Sequence, residues 1–179
     1  MMTLRIFIPF LVLLFLINLT NLFPSRMIRA SSISIKKSFE EPEYIRIPTL
    51  KINLPIEISR IKDDEWLFTD KISAFYGEKS AYPGMKGTTI VFAHARQGLF
   101  ALLPVLKEKN MIVLKTKNMM YYYQVSEKKI INPSDVSSLS KESNNKNVLA
   151  IFTCYGFGDA KRIIFFAPLQ IAIPLNNII

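Results

Sequence analysis

The hydrophobic positions after residue 42 fall into short runs that are separated by turn-forming residues. The runs are rich in Ile, Val, Tyr, Phe and Thr, which is typical of β-strands. They cover residues 44–50, 51–58, 88–95, 111–116, 120–126, 148–153 and 162–169. Turn sequences such as Tyr-Pro-Gly at 82–84 and Asn-Pro-Ser-Asp at 132–135 lie between them. Seven such runs predict a mostly-β domain that closes, or nearly closes, into a barrel.

Prolines and one change of periodicity modify this picture. Pro48 and Pro55 fall inside predicted strands, which indicates edge or bulged positions because proline cannot donate to a strand ladder. Residues 99–108 have helical spacing instead, and Pro104 limits that helix to a turn or two. We therefore expect one or two short helices beside the strands.

The N-terminus has a different pattern. Residues 6–17, IFIPFLVLLFLI, are uninterrupted apolar sequence, and residues 4–23 contain only one charge, Arg5. A membrane-spanning helix needs about 20 such residues. No small-residue cleavage site follows, which favours an uncleaved anchor over a secretory signal peptide or a buried core helix. We predict a transmembrane helix over 1–23, a basic juxtamembrane linker over 24–41 and the β-barrel domain over 42–179.

The charge distribution argues against a nucleic-acid-binding protein. The chain carries a net charge of +9, yet five of its 23 basic residues lie in the first 37 positions, which contain no acid. The other 18 basic residues are mixed with all 14 acidic ones, without the basic stripe of a nucleic-acid binder. Four basic residues follow the apolar run and one precedes it. Taken alone, that asymmetry places the domain in the cytoplasm.

The chain has one cysteine, Cys154, and one histidine, His94. A single cysteine forms no internal disulfide, and one Cys with one His is too few for a zinc site. Cys154 is either an inert apolar side chain, an intermolecular link or a reactive thiol. Both residues follow predicted strands directly, where a rigid scaffold presents side chains to solvent. Arg162 opens the next strand, so it returns beside Cys154 if the two strands are neighbours.

These three side chains suffice for acyl transfer. A thiolate attacks a carbonyl, an imidazole moves protons to and from amines, and a guanidinium stabilises the oxyanion or holds the substrate backbone. Asp159 and Asp63 both remain candidates for orienting His94. The structural alternative is that all three merely pack or are solvated. Trp66 and the tyrosines at 121–123 line a groove or, as we expect, pack in the core or on the barrel surface.

Several motifs together resemble the sortase family of cysteine transpeptidases. TTIVFAH ends in His94, AIFTC ends in Cys154 about sixty residues later, and Arg162 lies on the next strand. The family's Thr-Leu-x-Thr-Cys motif is matched at Thr153 and Cys154, with Ile151 for the leucine and Ala150 for the first threonine. SAYPGMKG resembles the family's approach to the catalytic histidine, and IRIPTLKINLPI its opening strands. Lys109-Asn110 replaces a common Gly-Asp. The resemblance covers residues 42–170.

The resemblance implies a fold and a reaction. Sortases are eight-stranded β-barrels that cleave a C-terminal sorting signal of the Leu-Pro-x-Thr-Gly type through a thioacyl intermediate. The implied roles are nucleophile for Cys154, general acid/base for His94 and stabiliser of oxyanion or substrate for Arg162. The implied partners are secreted proteins with a sorting signal and an amine acceptor, from a cell-wall precursor or a pilin lysine. A cysteine peptidase that only hydrolyses and a non-catalytic binding barrel are the alternatives.

The resemblance also implies a location. Sortases are usually anchored in the cell membrane by a single pass, with the N-terminus inside and the catalytic domain outside, which we adopt against the charge asymmetry. Some members bind calcium through loop carboxylates, and Asp63, Asp64 and Glu65 form an acidic cluster. Adjacent carboxylates are usually solvated, so we predict no metal and no cofactor.

Overall fold

The computed structural model describes residues 39–63, 65–67, 69, 71–141 and 146–177, which contain eleven strands. The strands are β1 Tyr44–Ile47, β2 Ile52–Ser59, β3 Ile61–Lys62, β4 Glu65–Trp66, β5 Ala74–Gly77, β6 Gly87–Phe92, β7 Met111–Lys115, β8 Met119–Gln124, β9 Glu127–Ile131, β10 Asn147–Tyr155 and β11 Lys161–Pro174. The helical segments among these residues are all of the 3-10 type: Pro48–Leu50, Leu103–Val105, Pro133–Lys141, Phe157–Asp159 and Leu175–Asn177. This part of the chain is mostly β, as its hydrophobic pattern predicts.

Eight of the strands close into a barrel. Their order around the barrel is β10, β6, β5, β2, β1, β7, β8 and β11, and β11 pairs with β10 to complete the ring. Neighbouring strands are antiparallel except for the parallel pairs β2–β5 and β6–β10. Closure leaves these strands without a free edge for pairing with other chains. The predicted eight-stranded barrel is confirmed.

The long strand β11 makes closure possible. Its first half pairs with β10 on one edge and with β9 on the other. Its second half pairs with β8, after a shift of register between Leu169 and Ile171. A bulge of this kind bends a strand, so one strand can serve two parts of the barrel wall. Strand β9 therefore lies beside the ring as an additional strand.

Apolar residues form two layers, one inside the barrel and one against its outer face. The inner layer includes Leu149, Ile151, Ile163 and Phe165. The outer layer is covered by the 3-10 segment Pro133–Lys141 and consists of Phe75, Ile90, Phe92, Val136, Leu139, Ala150, Phe152, Ile164 and Phe166. Successive residues of a strand point to opposite faces, so β6, β10 and the first half of β11 are buried on both sides. This explains their continuous apolar sequences.

The structure differs from the predicted elements at several places. Strands β5 and β9 and the small hairpin of β3 and β4 were not predicted. The helical pattern over 99–108 becomes only the 3-10 segment Leu103–Val105. Pro48 begins a 3-10 turn, and Pro55 lies where the pairing of β2 passes from β1 to β5. Strand β10 continues to Tyr155, so Cys154 lies within the strand's end instead of just after it.

The predicted membrane helix over 1–23 and most of the predicted linker, residues 24–38, lie outside the described residues. Among the residues that are described, none belongs to a helix with the length and apolar character needed to cross a membrane.

Candidate active site

His94, Cys154 and Arg162 share one face of three neighbouring strands. Alternation places Phe92 of β6, Phe152 of β10 and Ile164 of β11 in the outer apolar layer. Cys154 and Arg162 are each two strand positions away from one of these, so both lie on the same outer face. His94 follows the end of β6 by two residues, and its ring contacts Phe75 of the same layer. All three side chains are partly buried.

Strand register brings the three residues side by side. Cys154 and Arg162 are direct cross-strand partners in the antiparallel pair β10–β11. On the other side of β10, the parallel pairing with β6 ends at Phe152 and Phe92. Two residues further along lie Cys154 and His94. Neighbouring strands are about 5 Å apart, so the backbone of Cys154 lies between that of Arg162 on one side and that of the segment carrying His94 on the other.

One hydroxyl connects the cysteine strand to the histidine segment. Thr153 is buried, and its Oγ1 donates to the carbonyl oxygen of Ala93 at 2.7 Å. The backbone bond at the same place, from the Ala93 N–H to the Phe152 carbonyl, is longer at 3.4 Å. Thr153 and Ala93, which directly precede Cys154 and His94, are thus joined by a hydrogen bond.

The ring of His94 is oriented by a backbone carbonyl. Its Nε2 lies 3.0 Å from the carbonyl oxygen of Thr69, in the segment that precedes β5. A carbonyl can only accept, so this contact assigns a proton to Nε2. The ring also packs edge-on to Phe75, with centroids 6.5 Å apart. At Nε2 the partner is therefore a backbone group that no sequence motif marks, and neither Asp159 nor Asp63 is needed there.

The thiol of Cys154 is held mainly in its protonated form. Burial raises the pKa of Cys154 above the ordinary thiol value, because a buried thiolate loses hydration. The Arg162 guanidinium opposes this effect, and the Asp159 carboxylate adds to it. At neutral pH the thiolate is a minority species, so a nearby base that accepts the thiol proton assists any attack by sulfur.

The loop after Cys154 holds Arg162 in place. Nη1 of Arg162 donates to the carbonyl oxygens of Asp159 and Lys161, each at 2.9 Å. The loop turns through left-handed backbone conformations at Gly158, with φ of 62°, and at Asp159, with φ of 58°. Phe157 between the two loop glycines is fully exposed. The guanidinium is thus fixed by the same loop that leaves an apolar ring in solvent.

Trp66 and the tyrosines pack, as expected from the sequence. The Trp66 ring stacks on Phe92 with centroids 5.8 Å apart, and its Nε1 donates to the Glu78 carbonyl at 3.1 Å. Tyr121 and Tyr123 are buried in the barrel interior, and Tyr122 is partly buried. Trp66 thereby supports the outer apolar layer next to the site.

No group of three or more His, Cys, Asp or Glu side chains in the described part of the chain is arranged to hold a metal ion. In the acidic cluster of Asp63, Asp64 and Glu65, Asp64 and the side chain of Glu65 lie outside the described residues.

A closed eight-stranded barrel with Cys154, His94 and Arg162 near adjacent strand ends is the arrangement that the sequence motifs predict. Residues 45–170 match the family model of the sortase domain. The chain belongs to the sortase family. No curated protein sequence matches the chain significantly.

Solved structures agree with this assignment at the level of the fold. The SrtA sortase from Actinomyces oris superposes with a TM-score of 0.66 at 19% identity, over 78% of this chain and 85% of its own. Sortase E1 from Streptomyces coelicolor, with a tripeptide in its active site, gives 0.65 at 20% identity, over 76% and 92%. Clostridium perfringens sortase C with the C-terminal cell wall sorting motif gives 0.59 at 23% identity, over 75% and 73%.

Proposed function

We propose that this protein is a sortase-type transpeptidase in which Cys154 is the nucleophile, His94 the general acid/base and Arg162 the stabiliser of the oxyanion or of the substrate backbone. The observation that supports the proposal is the strand register, in which Cys154 and Arg162 are direct cross-strand partners and His94 follows the end of β6, the strand on the other side of β10. The family membership of residues 45–170 supports the same reaction class.

The proposed reaction has two half-reactions. The Cys154 thiol gives its proton to His94, and the sulfur attacks the scissile carbonyl, with the tetrahedral oxyanion facing Arg162. His94 then protonates the departing amine, which leaves a thioester on Cys154. An acceptor amine attacks the thioester, His94 takes the surplus proton, and the C–S bond breaks to release the new amide and free Cys154.

The proposed substrate is a secreted protein with a C-terminal sorting signal of the Leu-Pro-x-Thr-Gly type. Two structurally similar proteins support this choice: sortase E1 has a tripeptide in its active site, and the clostridial sortase C was solved with the C-terminal cell wall sorting motif. The proposed acceptor is a primary amine of a cell-wall precursor or a pilin. No metal or cofactor enters these steps.

The proposed location is the cell membrane, with residues 1–23 as a single-pass anchor, the N-terminus inside and the barrel outside. The apolar run of residues 6–17 supports the anchor. Digestion of the barrel by protease added to intact cells is the measurement that checks this orientation.

The function is tested with the full chain in mild detergent, as wild type and as Cys154→Ala. Each is incubated with a pool of Leu-Pro-x-Thr-Gly-like peptides and a primary amine, and the products are read by intact mass. We expect a thioacyl adduct on the wild type and an amine-transfer product, and neither with Cys154→Ala, because the chain has no second cysteine.

The other outcomes separate the alternatives. An adduct that is resolved only by water, at all amine concentrations, indicates a hydrolytic peptidase. Peptide binding without an adduct indicates a non-catalytic barrel. Transfer by Cys154→Ala at the wild-type rate contradicts the assignment of the nucleophile.

A further inference from the structure

We propose that the Thr153 hydroxyl is a positioning group that fixes His94 relative to Cys154. This inference rests on the proposed function, since it concerns the productive geometry of that site. It starts from the bond between Thr153 Oγ1 and the Ala93 carbonyl, which at 2.7 Å has the usual length of a good hydroxyl hydrogen bond and is buried.

The segment that carries His94 has few other attachments to the cysteine strand. Strand β6 ends at Phe92, so Ala93 and His94 lie past the regular ladder. The backbone bond at this point, from the Ala93 N–H to the Phe152 carbonyl, is 3.4 Å long and hence weak. The Thr153 hydroxyl is therefore the shorter of the two links that join the β10 end to Ala93.

Two further contacts of His94 lead to other parts of the chain. Its backbone carbonyl accepts from the Phe100 N–H at 3.1 Å, and its Nε2 faces the Thr69 carbonyl at 3.0 Å. Both partners belong to segments outside the β6–β10 pair. Without the Thr153 hydroxyl, Ala93 keeps the long backbone bond to Phe152 as its described link to the end of β10, while these contacts hold His94 to the surrounding loops.

The spacing matters because proton transfer between sulfur and imidazole depends steeply on distance. A misplacement of about 1 Å costs about a hundredfold in rate. A valine at position 153 keeps the branched shape of threonine and removes the hydroxyl, so it leaves the Ala93 carbonyl without this donor. A serine at 153 keeps the donor.

The test compares Thr153→Val, Thr153→Ser and a matched control, Thr88→Val, in the full chain. Thr88 is an equally buried threonine of β6 whose hydroxyl has no hydrogen-bond partner among the described residues. We expect Thr153→Val to lower kcat by about ten- to a hundredfold with KM within about twofold of wild type. We expect Thr153→Ser and Thr88→Val to keep both constants within about twofold.

A second readout does not need a substrate. His94 is the one histidine of the chain, so its ring resonances are unambiguous in a histidine-labelled sample. We expect these resonances to move in Thr153→Val and to stay in place in Thr153→Ser and Thr88→Val. Thermal melts of all variants show whether each is folded. If Thr153→Val does not fold, the pair Thr153→Ala and Thr153→Ser differs by the same hydroxyl and replaces it.

The outcomes distinguish this inference from the proposed function. If the wild type transfers no peptide, the proposed function fails, and the His94 resonances still decide the role of Thr153. If Thr153→Val has unchanged His94 resonances and an unchanged kcat, the hydroxyl only satisfies its own burial and the inference is overturned. A lower melting temperature without movement of His94 also overturns it.

Discussion

At the scale of single residues, the electrostatics of Cys154 decide how the site reacts. Burial raises its pKa, the Arg162 guanidinium opposes this, and the Asp159 carboxylate adds to it. The two charged neighbours are joined to each other, because Arg162 donates to the backbone carbonyl of Asp159. Arg162 thus stabilises the thiolate form of Cys154, and Asp159, to which it is bonded, destabilises that form.

The first prediction concerns these charges. In Asp159→Asn, a negative charge leaves the site, so the pKa of Cys154 should fall and alkylation by iodoacetamide should reach half its maximal rate at a lower pH. In Arg162→Gln, a positive charge leaves, so the midpoint should move to a higher pH. The rate is followed by intact mass, which is unambiguous because the chain has one cysteine.

The matched control for Asp159→Asn is Asp63→Asn. Both aspartates have left-handed backbone conformations, with φ of 58° and 50°, and asparagine tolerates that conformation well. Asp63 does not contribute to the pKa of Cys154. The charge argument is wrong if both substitutions shift the alkylation midpoint equally, or if Asp159→Asn raises it.

The sequence predicts which residues meet, but not all that orients them. His94, Cys154 and Arg162 stand at the ends of recognisable strands, and their alternation with buried residues is enough to put them on one face. The Thr69 carbonyl that faces His94 Nε2 belongs to an irregular segment and is a backbone group, which every residue has. Residue type therefore carries no signal for this contact, and only the folded chain reveals it.

At the scale of elements, a carboxylate ties the chain before β1 to the turn between β7 and β8. Glu40 accepts hydrogen bonds from the Thr116 hydroxyl at 2.8 Å, from the Asn118 N–H at 2.9 Å and from the Asn118 side-chain amide. Partial burial raises the pKa of Glu40, but these bonds outweigh it and the pKa is lowered. The ionised form of Glu40 is therefore the one that holds the segment before β1 to the turn between β7 and β8.

The second prediction follows from these hydrogen bonds of Glu40. Glu40→Gln should lower the free energy of unfolding by about 1 kcal/mol, since it removes charge-assisted acceptors. For a chain of this size, this corresponds to about 2–4 °C in Tm. Because the folded pKa is lowered, the contribution of Glu40 is present above the unfolded pKa and is lost as pH falls through the folded pKa.

The measurement is thermal unfolding of wild type and Glu40→Gln at neutral pH and at about pH 3, with Glu41→Gln as the control. Glu41 is the exposed neighbour of Glu40. The difference between wild type and Glu40→Gln should shrink at the acidic pH. If the difference in Tm persists unchanged in acid, or if Glu41→Gln lowers the Tm equally, the proposed role of the Glu40 carboxylate is wrong.

Strands were predictable from the sequence where burial on both faces requires a run of apolar residues. Strands β6 and β10 are buried on both faces, so each contains an uninterrupted apolar run, residues 90–92 and 148–152, that stands out. Strand β9 has the sequence EKKII and pairs with β11 along one edge, with its charged residues in solvent. Strand β5 is only four residues long and ends in Gly77. Neither has the length or composition that identifies a strand, and each forms because a neighbouring strand offers it hydrogen bonds.

At the scale of the whole molecule, closure depends on pairings between distant parts of the chain. The parallel pair β6–β10 and the split partnership of β11 with β8 and β9 join residues that are far apart in sequence. Composition and periodicity do not encode such pairings. The family resemblance implies the barrel, and the strand register shows how these residues build it.

The last prediction concerns hydrogen exchange, which should differ between the paired strands of the barrel and its loops. Strand β10 has both edges paired, to β6 and β11, and both faces covered by apolar layers. Its amides should open only when the whole domain unfolds, so hydrogen exchange should be slowest at residues 149–153. The loop at 156–160 is exposed and has no apolar cover, so it should exchange fastest.

Hydrogen exchange by mass spectrometry on the full chain measures both segments in one experiment, and Cys154→Ala serves as the control because it alters the thiol without altering the strand pairing. Equal exchange at 149–153 and 156–160 contradicts the prediction. The expected contrast suits the proposed reaction. The nucleophile needs a fixed position, so Cys154 lies at the end of a strand that does not open. A peptide must enter beside it, so the exposed side chain of Phe157 in the adjacent loop must be free to move.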